Sequence, residues 1–163
     1  ASGGAVTFDQ PRNITILSAG DDSGISFTVT GTDETATSAT ESITGANAGT
    51  ATGSAYFATI TAITAVGDPA GNVSAGSGTS IAAPMYRGRM RLRGIYVVNT
   101  GTAGTTTFSQ TSSSGAVAMK FNTVASANTT QYPDIPDDGI LFAAGGYVLY
   151  TQTALSSITV FYS

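Results

Sequence analysis

Threonine is the commonest residue of this chain, at 27 of 163 positions, and 11 isoleucines and 10 valines stand against only 5 leucines. β-Branched side chains are stiff at χ1 and sit well on a pleated surface, whereas Leu, Glu, Lys and Arg are the helix formers. No stretch repeats apolar residues at a spacing of 3.6 through three turns. The expected fold class is therefore all-β, with no significant helix.

Short alternating runs between turn signals give the organisation. NITILS places Ile14 and Ile16 on one face, and Asp21-Asp22-Ser23-Gly24 makes a turn. GISFTVTG then alternates Ile25, Phe27 and Val29 with Ser26, Thr28 and Thr30. TESITG, YFATITAITAV and NVSAGS are further strands, with GANAGTATGS read as a flexible crossing. Residues 77–86, SGTSIAAPMY, shift in composition around Pro84 and read as a linker. Beyond it a long strand is expected over Arg87 to Asn99, followed by TTTFSQT, AVAMKFNT, GILF, YVLYTQ and SSITVFY. The expectation is two domains, 1–80 and 81–163, each a small β-sandwich. Ile, Leu, Val and Phe total 33, thin for two separate cores. Part of the stability should thus come from subunit or host-surface contacts.

The composition excludes much chemistry. There is no His, Cys or Trp, hence no imidazole base, no thiol nucleophile, no disulfide and no zinc, haem or iron–sulfur ligation of the usual kind. No catalytic residue, cofactor or metal site is assigned, and the chain is not expected to be an enzyme. A net charge of −4 does not suit a general nucleic-acid binder, and the apolar runs are too short for a membrane helix. ASGGAVTFDQ has neither the basic nor the apolar region of a secretion signal.

Charge is unevenly placed: residues 1–80 hold seven acids and one arginine, net −6, while 81–163 hold five bases and three acids, net +2. Four of the five arginines stand in RGRMRLR. In a strand, Arg87, Arg89, Arg91 and Arg93 would share one face while Gly88, Met90 and Leu92 point the other way. Neighbouring guanidinium groups about 7 Å apart repel by roughly 0.6 kcal/mol each even in water, so such a row favours an anionic partner. These four arginines are the expected protein interface; a solvated edge strand whose charges block aggregation is the alternative. The acidic pairs Asp21-Asp22, Asp33-Glu34 and Asp137-Asp138 read as turn formers, not as a calcium loop or a hydrolase pair. Tyr86, Tyr96, Tyr132, Tyr147, Tyr150 and Tyr162 suit a core or interface, with a glycan platform as the second possibility.

The stretch PRNITILSAGDDSGISFTVTGTD, continuing through TESITGANAGTATGSAYFATITAITAVGDPAGNVSAGS, resembles the small Ig-like β-sandwich units of tailed-bacteriophage virion proteins. YVVNTGTAGTTTF and PDIPDDGILFAAGGYVLYTQTALSSITVFYS resemble the C-terminal β-domains, jelly-roll-like in kind, of small phage structural proteins. The resemblance implies a virion component made in the host cytoplasm. That component would be a head decoration or cement protein bound to the major capsid protein, or a tail, knob or fibre part with a carbohydrate-binding role. It also implies a homo-oligomer, for decoration proteins commonly a trimer. No functional residue carries over from it.

Overall fold

The computed structural model describes residues 5–125 and 130–163. They are all-β and sandwich-like, with thirteen strands sorted into sheets of nine and four and no helix among the described residues. The chain divides after Gly78 into two compact units, Ala1–Gly78 and Thr79–Ser163.

The first unit contains β1 (Val6–Ser18), β2 (Ser26–Asp33), β3 (Ser38–Thr44), β4 (Thr50–Thr52), β5 (Phe57–Val66) and the beginning of β6 (Val73–Tyr86). Their order is β3-β2-β5-β1, with β4 also paired to β1 and β6 starting on the far side of β1. β4 and β5 together flank β1, pairing Thr52 with Thr15 and Phe57 with Arg12. The alternating apolar residues do what their spacing requires: Ile14, Ile16, Phe27, Val29, Ile43, Phe57 and Ile60 enclose one core. Glu41 of β3 reaches the crossing between β4 and β5. Its Oε1 accepts hydrogen bonds from the Ser54 amide (2.6 Å), the Ser54 hydroxyl (3.0 Å) and the Ala55 amide (3.1 Å). Hydroxyl pairs tie neighbouring strands, Thr32 to Thr59 at 2.7 Å and Ser26 to Ser42 at 2.5 Å.

GANAGTATGS is not a flexible crossing. Its backbone is stitched to residues 18–22 by Asp22 N to Ala46 O (3.1 Å), Ala48 N to Gly20 O (2.8 Å) and Ser18 N to Gly49 O (2.9 Å), and it contains β4. The fully buried Asp22 adds a third segment, accepting from the Ala70 amide through Oδ1 at 2.7 Å.

The β2–β3 hairpin turns on Asp33, whose Oδ1 accepts from the Thr35 amide (2.8 Å), the Thr35 hydroxyl (2.7 Å) and the Thr37 amide (2.9 Å). Partial burial works to raise the Asp33 carboxyl, but the hydroxyl and amide donors outweigh it and hold it below its usual 3.8. A lowered carboxyl stabilises the fold above its unfolded value and loses that contribution as pH falls through the folded one. Urea unfolding should therefore show stability declining between about pH 5 and pH 3, with a shallower decline in Asp33→Asn. Equal slopes for the two proteins would remove Asp33 from the acid response.

The second unit contains the rest of β6, β7 (Met90–Asn99), β8 (Gly104–Gln110), β9 (Val117–Thr123), β10 (Thr130–Gln131), β11 (Ile140–Phe142), β12 (Gly146–Thr151) and β13 (Leu155–Tyr162). One layer has the order β6-β12-β8-β9. In the other, β7 is central: β13 pairs along one edge, while β10 and β11 take the two ends of the opposite edge. Met90, Leu92, Ile95 and Val97 of β7, with Phe142 of β11 and Leu155 of β13 beside them, enclose one core with Phe108 of β8 and Val148 of β12 from the other layer.

The linker expected at 77–86 is instead the second half of β6, paired through Thr151↔Ser80 to Gly146↔Tyr86 with β12. Pro84 is tolerated because the ladder slips beside it: Tyr147 pairs with Pro84 but Gly146 with Tyr86. Proline's missing N–H is harmless at such a bulge.

Candidate functional site

The arginine segment departs from its expected geometry at one end. β7 starts at Met90, not at Arg87, and residues 87–89 form a bend after β6. Within the strand the alternation holds, since Met90 and Leu92 are buried while Arg91 is half-buried and Arg93 exposed. The single row of four is therefore two pairs with different surroundings.

Arg91 and Arg93 dock on their own chain. Arg91 Nη1 donates to the Asp138 carbonyl and Arg93 Nη1 to the Asp137 carbonyl, both at 2.8 Å, and Arg93 Nε donates to the Ser163 hydroxyl at 3.1 Å. The loop they hold is closed by Gly139 N to Pro136 O at 2.7 Å. Gly139 has φ +70, and a Cβ there would lie 2.6 Å from the Leu92 carbonyl oxygen, so only glycine seats the loop this close to β7.

Arg87 and Arg89 are exposed and have no side-chain hydrogen bond or ion pair among the described residues. Their bend is backed by aromatic rings. Tyr86 lies over Gly88, where a Cβ would be 2.7 Å from Tyr86 Cε1, and stacks on Tyr162 at 5.7 Å between centroids and 28° between planes. Both tyrosines are about half exposed.

A bulge at Arg93 resets the faces of β7, because Phe161 pairs with Gly94 but Tyr162 with Leu92. Gly94, Tyr96 and Val98 consequently share the outer face. There Phe161 crosses Gly94, and Tyr132 meets Tyr96 at 5.1 Å and 54°. Tyr132 is 70% exposed and Phe161 56%, the barest large aromatics of the second unit. Phe161, not singled out in the sequence, faces outward by plain alternation, Ser157, Thr159 and Phe161 on one side and Ile158 and Val160 on the other, so SSITVFY itself carried the signal that places it there. Tyr147 is buried and Tyr150 half-buried against the core, so neither forms an open platform.

Within the acidic pairs, the Asp21 and Asp33 side chains act as turn formers. Asp21 Oδ1 accepts from the Ser23 hydroxyl (2.7 Å) and amide (3.1 Å), which lower its carboxyl. Asp9 is held low by the Gln10 amide and then by Arg12, its ion-pair partner at 3.2 Å. Burial, then the Glu34 charge, pushes the Tyr56 hydroxyl up. No group of three or more His, Cys, Asp or Glu side chains among the described residues could hold a metal ion. None of the helices required for a membrane span exists among the described residues.

Comparison of the chain with protein-family models, with curated proteins and with solved structures finds no match in any of the three.

Proposed function

We propose that this chain is a non-enzymatic structural protein that works by adhesion, a surface component of a tailed-bacteriophage virion that binds capsid protein and stabilises the head. The observation that carries the reading is the Arg87–Arg89 bend, two guanidinium groups with no partner among the described residues, backed by the stacked Tyr86 and Tyr162. Arginine and tyrosine dominate interface hot spots, because each supplies a broad apolar body with fixed donors. Complementary potential would then set which acidic surface is recognised, more than how tightly. The virion assignment is supported by the resemblance of both halves to phage structural β-domains.

The double variant Arg87→Ser/Arg89→Ser should fold normally and co-sediment with virions about tenfold less than the parent chain, a loss of about 1.4 kcal/mol. Undiminished co-sedimentation would sink the assignment. The exposed Tyr132 on Tyr96 favours one second reading, a tail, knob or fibre part that binds carbohydrate. In that case Tyr132→Ala, and not the arginine variant, would release the protein from the particle or cell surface.

A further inference from the structure

We infer that β13 is a self-pairing edge, through which two copies of this chain join antiparallel about a twofold axis. The inference stands apart from the Arg87–Arg89 contact. An open strand edge presents unpaired N–H and C=O groups, and proteins guard such edges with charge, proline, bulges or brevity. The other edges follow that practice. β3 carries Glu41, β9 carries the exposed Lys120, β6 carries Pro84, and β4, β10 and β11 have only three, two and three residues.

β13 is the exception. It has eight residues, LSSITVFY, with no charge, no proline and no glycine, and among the described residues its one ladder partner is β7. From Ser157 to Phe161 it pairs in unbroken register, so its other edge is straight over that span. Ile158, Thr159, Val160, Phe161 and Tyr162 are consecutive β-formers, the composition that pairs most readily when left bare.

The side chains single out a second copy as the occupant. In an antiparallel pair centred on Thr159, Ser157 of each chain faces Phe161 of the other, small against large on the outer face. Ile158 faces Val160 on the inner face, and the two Thr159 hydroxyl groups meet, as Thr32 and Thr59 do within the first unit at 2.7 Å. Ser157, Thr159 and Phe161 are all exposed. An edge that meets itself closes into an isologous dimer and cannot propagate, which reconciles an unguarded strand with a discrete particle. The product is a twofold pair, not the trimer implied by the resemblance.

Sedimentation of the purified chain over a concentration series should show a species of twice 16.3 kDa. Thr159→Lys, which sets two like charges face to face, should raise its dissociation constant about tenfold or more. Ser157→Lys, which sets a charged group against the Phe161 ring of the other copy, is the second variant should Thr159→Lys not fold, and Arg87→Ser/Arg89→Ser should leave the dimer intact. Since the chain has no cysteine, Thr159→Cys should oxidise to a covalent dimer while Lys120→Cys on β9 does not. A monomer at every concentration, a dimer indifferent to both lysine variants, or equal cross-linking at both cysteines would each overturn the inference.

Discussion

Replacing Phe57 with alanine should lower the stability of the first unit by about 4 kcal/mol, the range seen when a buried aromatic is truncated. Phe57 opens β5, is fully buried, and packs among Ile14, Ile16, Phe27, Val29, Ile43 and Ile60. Backbone pairing leaves its surroundings little freedom to collapse into the space, since Phe57 faces Arg12 on one side and Asp33 on the other. The cost thus includes lost burial and most of the cavity. A unit of this size has a total stability of only about 5–10 kcal/mol, so half or more of it would go. Far-UV circular dichroism during urea unfolding would measure the change, with Phe57→Leu as the milder control. A loss below about 1 kcal/mol would mean that the core is not closed around this ring.

Gly31→Ala should be of comparable severity for a different reason. Gly31 is buried in β2, where the pairing with β5 slips between Thr30↔Ala62 and Gly31↔Ile60. A Cβ at this position would overlap the Thr59 carbonyl oxygen and lie 2.9 Å from the carbonyl carbon. Both obstructing atoms belong to backbone, so no rotamer change relieves the clash. The added methyl must push β5 away from β2 and disturb the Thr32–Thr59 hydroxyl pair beside it. A destabilisation of about 3 kcal/mol is expected, at the upper end of overpacking costs. Hydrogen exchange would localise it, with faster exchange at β5 amides than at β7 amides. Gly24→Ala, where an added Cβ meets nothing within 4 Å, should cost far less.

The parts of this fold readable from the sequence are those where side chains carry the pattern. Ile14 and Ile16, Phe27 and Val29, Met90 and Leu92 alternate with polar neighbours, and each pair is buried as its period of two demands. The misread parts are held by backbone. GANAGTATGS has only small side chains, so nothing in it announces that its amides and carbonyls are bonded to Ser18, Gly20 and Asp22. Pro84 looks like a break because its missing N–H is visible and the compensating bulge beside it is not. The arginine row failed at one point: R-G-R-M-R keeps perfect alternation through residues 87–89 although the chain bends there. Gly88, which accommodates the Tyr86 ring, was the available sign of that break. That Arg91 and Arg93 would bond carbonyl groups more than forty residues away lies beyond any local pattern.

The cross-strand hydroxyl pairs have a practical consequence. Hydroxyl pairs between strands, and charged side chains bonded to neutral amides and carbonyls, give dissolved ions little to screen. The Arg12–Asp9 pair is open to solvent at its carboxylate and contributes little. Titration with sodium chloride should therefore weaken electrostatic attachment through Arg87 and Arg89 while leaving the sheets and the uncharged β13 seam intact, so detachment can be followed without melting the molecule.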